Sequence, residues 1–293
     1  MIKYKLINNI VGWGAFTVAA IVYLLTIEST ASFWDCGEFI TAAYKLEVGH
    51  PPGAPIFMLV GNLFSQFASD PSQVARMINI MSALLSAFTI LFLFWTITHL
   101  TRKLIVSQEQ NELTLGQTIA VMGSGLVGAL AYTFSDTFWF SAVEGEVYAF
   151  SSMLTALVFW LILKWEDNAG KAHSDKWIVL IAYVLGLSIG VHLLNLLCIP
   201  AIVLVYYFKK NENPDWKGGI KALLLSFGLI VILMWGIIPG FTKVGGWFEL
   251  FFVNSLGFSY HTGTFIYLIL LIGVIGWTLY ETLSPKGKER RAR

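Results

Sequence analysis

The stretch "FWDCGEFITAAYKLEVGHPPGAPIFMLVGNLFSQFAS", residues 33–69, decides how the whole chain is laid out. Its first half holds Asp35, Glu38, Lys45, Glu47 and His50, and the Pro51-Pro52 pair that follows forbids a helix interior. Its second half is apolar but only about 15 residues long before Asp70 and Pro71 end it. A bilayer core asks for about 20. Counting this run as a span would invert every later loop, so it reads as a helix lying on the membrane surface. Residues 28–75 then form one long loop on a single side, with its charged head held against the membrane.

The remainder of the chain is made of spans. Of 293 residues, 56% are hydrophobic and 13% charged, against about 25% charged in a soluble domain; the mean hydropathy is +0.70. The pattern predicts an all-α integral membrane protein with about eight transmembrane helices, near 10–27, 77–98, 118–138, 148–163, 177–191, 193–208, 220–240 and 265–282. The fifth and sixth are short and meet at "GVHLLN", so they read as a tightly turned pair. The first reads as a retained span, because no small-residue cleavage site follows it. The net charge of +1 and the lack of a basic aromatic cluster point away from nucleic acid. Two cysteines, Cys36 and Cys198, are too few for a disulfide framework.

Lysine and arginine set the orientation. With the N-terminus cytoplasmic, that side receives sixteen of the 19 cations, and only Lys45, Arg76 and Lys243 lie outside. Both termini are therefore expected in the cytoplasm and the loop 28–75 outside. Half of the 18 acids also fall outside, mostly in loops 28–75 and 136–147: Glu28, Asp35, Glu38, Glu47, Asp70, Asp136, Glu144, Glu146 and Glu249. Phe33, Trp34, Phe138, Trp139, Phe140 and Tyr148 accompany them. An interfacial aromatic belt accounts for part of that composition. It does not account for the carboxylates.

An outward Asp/Glu pair after the first span, a His-Pro-Pro segment, an apolar surface helix and an Arg opening the second span ("ARMINIMSALLSAFTILFLF") resemble the GT-C superfamily of membrane glycosyltransferases, the protein O-mannosyltransferases above all. "WDCGEF" joined to "GHPPGAP" more narrowly resembles a bacterial family of O-mannosyltransferase-like proteins with a relative in animal secretory membranes. The resemblance covers roughly residues 1–240, a GT-C-like seven-span catalytic module, leaving 241–293 as an outer loop, the eighth span and a basic tail. Two departures stand out. The acids of O-mannosyltransferases are adjacent, whereas Cys36 and Gly37 separate Asp35 from Glu38, and "HPPGAP" lacks the lysine that follows His-Pro-Pro in those enzymes.

What the resemblance implies is transfer of a sugar, mannose by inheritance, from a polyprenyl-phosphate carrier to an acceptor hydroxyl on a protein or lipid at the outer face of a bacterial inner membrane. A hydroxyl needs a positioned carboxylate to take its proton, and the departing phosphate needs cations or donors. Asp35 and Glu38 are the candidate bases. Asp35 reads equally as a helix N-cap, with Glu38 completing a capping-box-like pair. His50, Arg76, Glu144, Glu146, Tyr148 and His192 are the candidate substrate-binding residues. His50 also reads as a turn former, Arg76 as an interfacial anchor and Glu144 and Glu146 as a solvated loop. Gly186 and Gly190, in small-xxx-small spacing, would let a helix approach His192 closely; a histidine between apolar runs reads either as functional or as bonded to a neighbouring carbonyl. No metal or cofactor is expected, and the one place for a divalent cation is Glu144 with Glu146. The competing readings are a polyprenyl-lipid flippase or transporter and a transferase of a non-sugar lipid head. The nearly charge-free spans and the absence of an internal repeat disfavour a transporter.

Overall fold

A computed structural model describes residues 2–106 and 113–284. Among these residues the chain is helical throughout: α1 (Ile2–Leu25), α2 (Cys36–Lys45), α3 (Pro55–Ser65), α4 (Val74–Ile105), α5 (Leu115–Thr133), α6 (Asp136–Ala142), α7 (Val147–Asn168), α8 (Lys176–Ile189), α9 (Ile199–Lys210), α10 (Trp216–Val231), α11 (Ile238–Leu250) and α12 (Thr262–Leu283). Among the described residues, seven helical runs are long and apolar enough to cross a membrane. The chain is an all-α multi-pass membrane protein.

The chain divides into two compact units, residues 1–223 and 224–293, with the boundary inside α10. In the first unit α4 is the central post, packed against α1, α5 and α7. One core gathers Tyr23, Ala87, Phe94 and Ala129 between α1, α4 and α5. Another gathers Phe39, Phe57, Ile78, Val158 and Trp165 from α2, α3, α4 and α7. Tight contact is built in by glycine: a Cβ at Gly125 would lie 2.5 Å from Thr98 Cγ2 on α4.

Local signals set most ends. Asp70 caps the short 3-10 turn before α4 by accepting the Ser72 N–H at 2.8 Å. Thr114 and Gln117 form a reciprocal capping box on α5. The expected third span is shorter than 118–138. It stops at Thr133, and α6 follows as a separate short helix started after Ser135. The expected fifth span is α8, only 14 residues, about 21 Å at 1.5 Å per residue. At its exit the Gly190 carbonyl accepts the Ile56 N–H at 2.7 Å, which ties the end of α8 to the start of α3. The surface helix expected after Pro52 is α3, packed on α2 and α4.

In the second unit the expected stop near Gly240 does not occur. The helical run Trp216–Ser255 continues past it through two π-helical stretches, Ile232–Ile237 and Phe251–Ser255. The first precedes Pro239, where a widened turn accommodates the missing N–H. Glu249, expected in an outer loop, instead accepts the backbone N–H of His261 at 2.6 Å and of Thr264 at 2.9 Å, joining α11 to the start of α12.

Candidate active site

The two acidic loops meet at one end of the bundle. Glu28 N–H donates to Val143 O at 3.2 Å, and Trp139 Nε1 donates to Thr26 Oγ1 at 2.9 Å. Buried Asn79, on the first turns of α4, donates to the carbonyls of Glu28 at 2.8 Å and Thr30 at 3.1 Å. Gly145 is the residue that makes this fit possible: a Cβ there would stand 2.9 Å from both Asn79 Oδ1 and Ile40 Cγ1. The "VEGEV" segment is pinned against the first loop.

A cavity of about 200 Å³ opens at this junction. Asp35, His50, Glu146, Tyr148 and His192 all line it, together with the Pro51-Pro52-Gly53-Ala54 turn and Val191. Five of the eight residues singled out in the sequence are thus brought together from three separate regions of chain. Trp34 and Ala54, on either side of the charged segment, hold left-handed backbone at φ 59° and 40°. Such conformations persist only where surrounding structure imposes them.

Asp35 precedes α2 as its N-cap residue, yet its side chain makes no capping bond. The capping-box reading therefore fails, and the carboxylate is left exposed at the cavity. The gap between the two acids closes in space: one carboxylate oxygen each of Asp35 and Glu38 and a ring nitrogen of His50 lie within 4.8 Å of one another. Glu38 is fully engaged. Its Oε1 accepts the His50 N–H at 2.6 Å, and its Oε2 lies 3.1 Å from His50 Nδ1. The backbone bond, then the ring contact, hold its carboxyl below the ordinary range.

His192 sits where α8 turns back toward α9 through the 3-10 segment Leu193–Cys198. Its Nδ1 accepts the Leu194 N–H at 3.1 Å. A neutral imidazole with Nδ1 as acceptor carries its proton on Nε2, so His192 offers an N–H donor. Burial pushes its pKa down, favouring the neutral form. Its ring lies 5.5 Å from that of Tyr148. Of the two glycines expected to allow a close approach here, only Gly190 does so: a Cβ would meet Ile56 Cγ1 at 2.5 Å, whereas Gly186 faces open space.

Glu144 and Glu146 are not a solvated loop; they are 3% and 6% exposed. Burial is the main reason both carboxyls are pushed above the ordinary range. Cys36, not among the candidate site residues of the sequence, lies between them with Sγ 3.7 Å from Glu146 Oε1. Burial and these two acids push its thiol up as well. Only Glu146 reaches the cavity, while Glu144 stands behind it. Arg76 is exposed and does not line the cavity. Asn79 was missed too, although a lone amide within an apolar span is a signal of its own.

A helical membrane bundle with a carboxylate- and histidine-lined cavity at one end defines a membrane protein able to handle a polar group at its surface. Residues 35–215 match the family described as the Protein O-mannosyl-transferase TMEM260 N-terminal domain. The chain belongs to that family, and the match opens at Asp35 and includes every residue of the cavity. Among curated proteins it is similar to Protein O-mannosyl-transferase tmem260 of Dictyostelium discoideum, 26% identical over 226 residues, covering 73% of this chain and 25% of that protein. It is also similar to Protein O-mannosyl-transferase TMEM260 of Mus musculus, 28% identical over 200 residues, covering 67% of this chain and 26% of the relative. The chain spans about a quarter of the length of these relatives. No solved structure matches it.

Proposed function

We propose that this chain is the catalytic module of a glycosyltransferase that moves a mannosyl group from a polyprenyl-phosphate carrier to a Ser/Thr hydroxyl of a protein. One observation carries the reading. A free carboxylate, Asp35, shares a single cavity with the Nε2–H donor of His192 and with His50, whose position Glu38 fixes. The names of the relatives supply the sugar and the acceptor class.

In this mechanism Asp35 accepts the proton of the acceptor hydroxyl as its oxygen bonds to the anomeric carbon. The bond from that carbon to the phosphate oxygen breaks on the opposite side, so the configuration inverts and the electron pair stays on the lipid phosphate. His192 donates to that phosphate from Nε2, and His50 stands beside it. Glu38 acts as a positioning residue. Glu146 and Tyr148 border the remaining space and contact the sugar. The GT-C-like organisation, with the module in residues 1–240, belongs to the same proposal.

The sided distribution of lysine and arginine supports placing the cavity on the outer face of a bacterial inner membrane with both termini cytoplasmic. The steps use no metal. Among the described residues two groups have ligand atoms within 4.8 Å of one another, Cys36 with Glu144 and Glu146 and Asp35 with Glu38 and His50, and these would hold a divalent cation if chelation abolished transfer.

The test is direct. Purified protein is given a polyprenyl-phosphate mannose and a Ser/Thr-rich peptide. Release of polyprenyl phosphate that depends on the peptide, and is lost in Asp35→Asn, is the expected result. Movement of intact donor across a bilayer without release would replace the enzyme with a lipid transporter.

A further inference from the structure

A cavity of about 610 Å³ lies at the other end of the bundle from the acidic loops. Its rim carries Lys5, Arg102, Lys164 and Lys171 against a single carboxylate, Asp167. That carboxylate already faces His99 Nδ1 at 3.6 Å. A nearby Lys103 is neutralised by Glu166 and does not line the space.

The basic residues of an ordinary cytoplasmic collar need no cavity. Here Arg102 and Lys164 are half-buried and held over aromatic faces. The Arg102 guanidinium carbon stands 5.0 Å from the centre of the Tyr4 ring, and Lys164 Nζ stands 5.0 Å from the Trp160 ring. Deeper in, Trp13 and Trp95 pack edge to face at 6.4 Å, and Trp95 and Trp160 lie 5.5 Å apart. In the wall, His99 Nε2 is buried without a hydrogen-bond partner among the described residues. The cavity is charged at its mouth and aromatic within. Its volume falls in the usual range for small-molecule sites, about 300–1,000 Å³.

We propose that this cavity binds the phosphate group of an anionic membrane lipid, with the cations on the phosphate and the tryptophans against its apolar part. A free phosphate shares the charged contacts but has nothing to place on the aromatic wall, which is why the lipid is the occupant favoured. Basic pockets between membrane helices are suited to anionic head groups. The site stands apart from the proposed transfer cavity and does not depend on that reading.

Native mass spectrometry of the detergent-solubilised protein tests it, with phosphatidylglycerol, phosphatidylcholine of the same chains, and inorganic phosphate alone as probes. Phosphatidylglycerol should remain bound at least tenfold more tightly than phosphatidylcholine. Arg102→Gln combined with Lys164→Gln should remove that preference, whereas Lys103→Gln should leave it. If the first pair fails to fold, Lys5→Gln with Lys171→Gln, both on exposed side chains, should still weaken it severalfold. Equal retention of the two lipids overturns the proposal. Saturable binding of inorganic phosphate as tight as that of the lipid overturns the lipid source.

Discussion

Glu38 holds His50 by two contacts at once, accepting its backbone N–H at 2.6 Å and facing its ring Nδ1 at 3.1 Å across twelve residues of chain. This one carboxylate fixes the turn ahead of Pro51-Pro52 and the imidazole at the cavity's edge. It also leaves Asp35 as the carboxylate of the pair with nothing to hold.

Asp35→Asn keeps shape but cannot accept a proton. Transfer should fall by about 10²–10⁴ with little change in donor binding. Because Asn caps a helix nearly as well as Asp, a role confined to the end of α2 predicts near-normal turnover. Single-turnover transfer, alongside donor binding by the same variant, separates the two.

Glu38→Gln should lower turnover less than the loss of Asp35 does, by about tenfold, the scale of one lost polar contact. The distinguishing readout is the backbone amide of His50, followed by NMR. With its charged acceptor gone, the His50 amide resonance should shift and its exchange with solvent should quicken. An unchanged His50 amide would remove Glu38 from the positioning role.

His192→Phe removes the Nε2–H donor, and donor affinity should weaken by about tenfold or more, as a hydrogen bond to a charged group is worth about 1.5–3 kcal/mol. His192→Gln can still donate from its amide and should retain most of the affinity. Equal loss in both variants would assign His192 to holding the turn through Leu194.

Glu144 carries a carboxyl raised above its ordinary 4.5 by burial. As pH rises above that value the unfolded chain releases this proton first. The folded state therefore loses stability progressively until its own raised pKa is passed. Gln does not titrate, so Glu144→Gln should gain on the parent in thermal stability as pH rises from 4.5, with little advantage at the acidic end. A stability difference that does not vary with pH would contradict the upward shift that burial gives this carboxyl.

Orientation is checked with Ser69→Cys, at an exposed position beside the 3-10 turn that precedes α4. It should react with an impermeant thiol reagent in intact cells. Labelling of a cysteine placed in residues 169–175 instead would invert the whole arrangement.

The class of the protein was legible in the chain itself, because runs of apolar residues of bilayer length have few other physical uses. The charged first loop and the Lys/Arg asymmetry were equally plain, being local features of composition. The ends of several helices were not. The stop at Thr133 and the continuation past Gly240 depend on turn geometry and on π-helical stretches that hydropathy cannot register. In the same way, Asp35 and Glu38 were visible as acids, but that only Glu38 is held by His50 rests on a contact across twelve residues. The burial of Glu144 and Glu146 against Cys36, and the failure of Arg76 to join them, follow from how α2 and α7 pack at one end of α4. His192 drew notice as a polar group in an apolar run. Its Nε2 proton was decided only by the turn that offers the Leu194 N–H to Nδ1. Composition fixes the solvent a chain must live in, while a site is fixed by side chains that meet from distant segments.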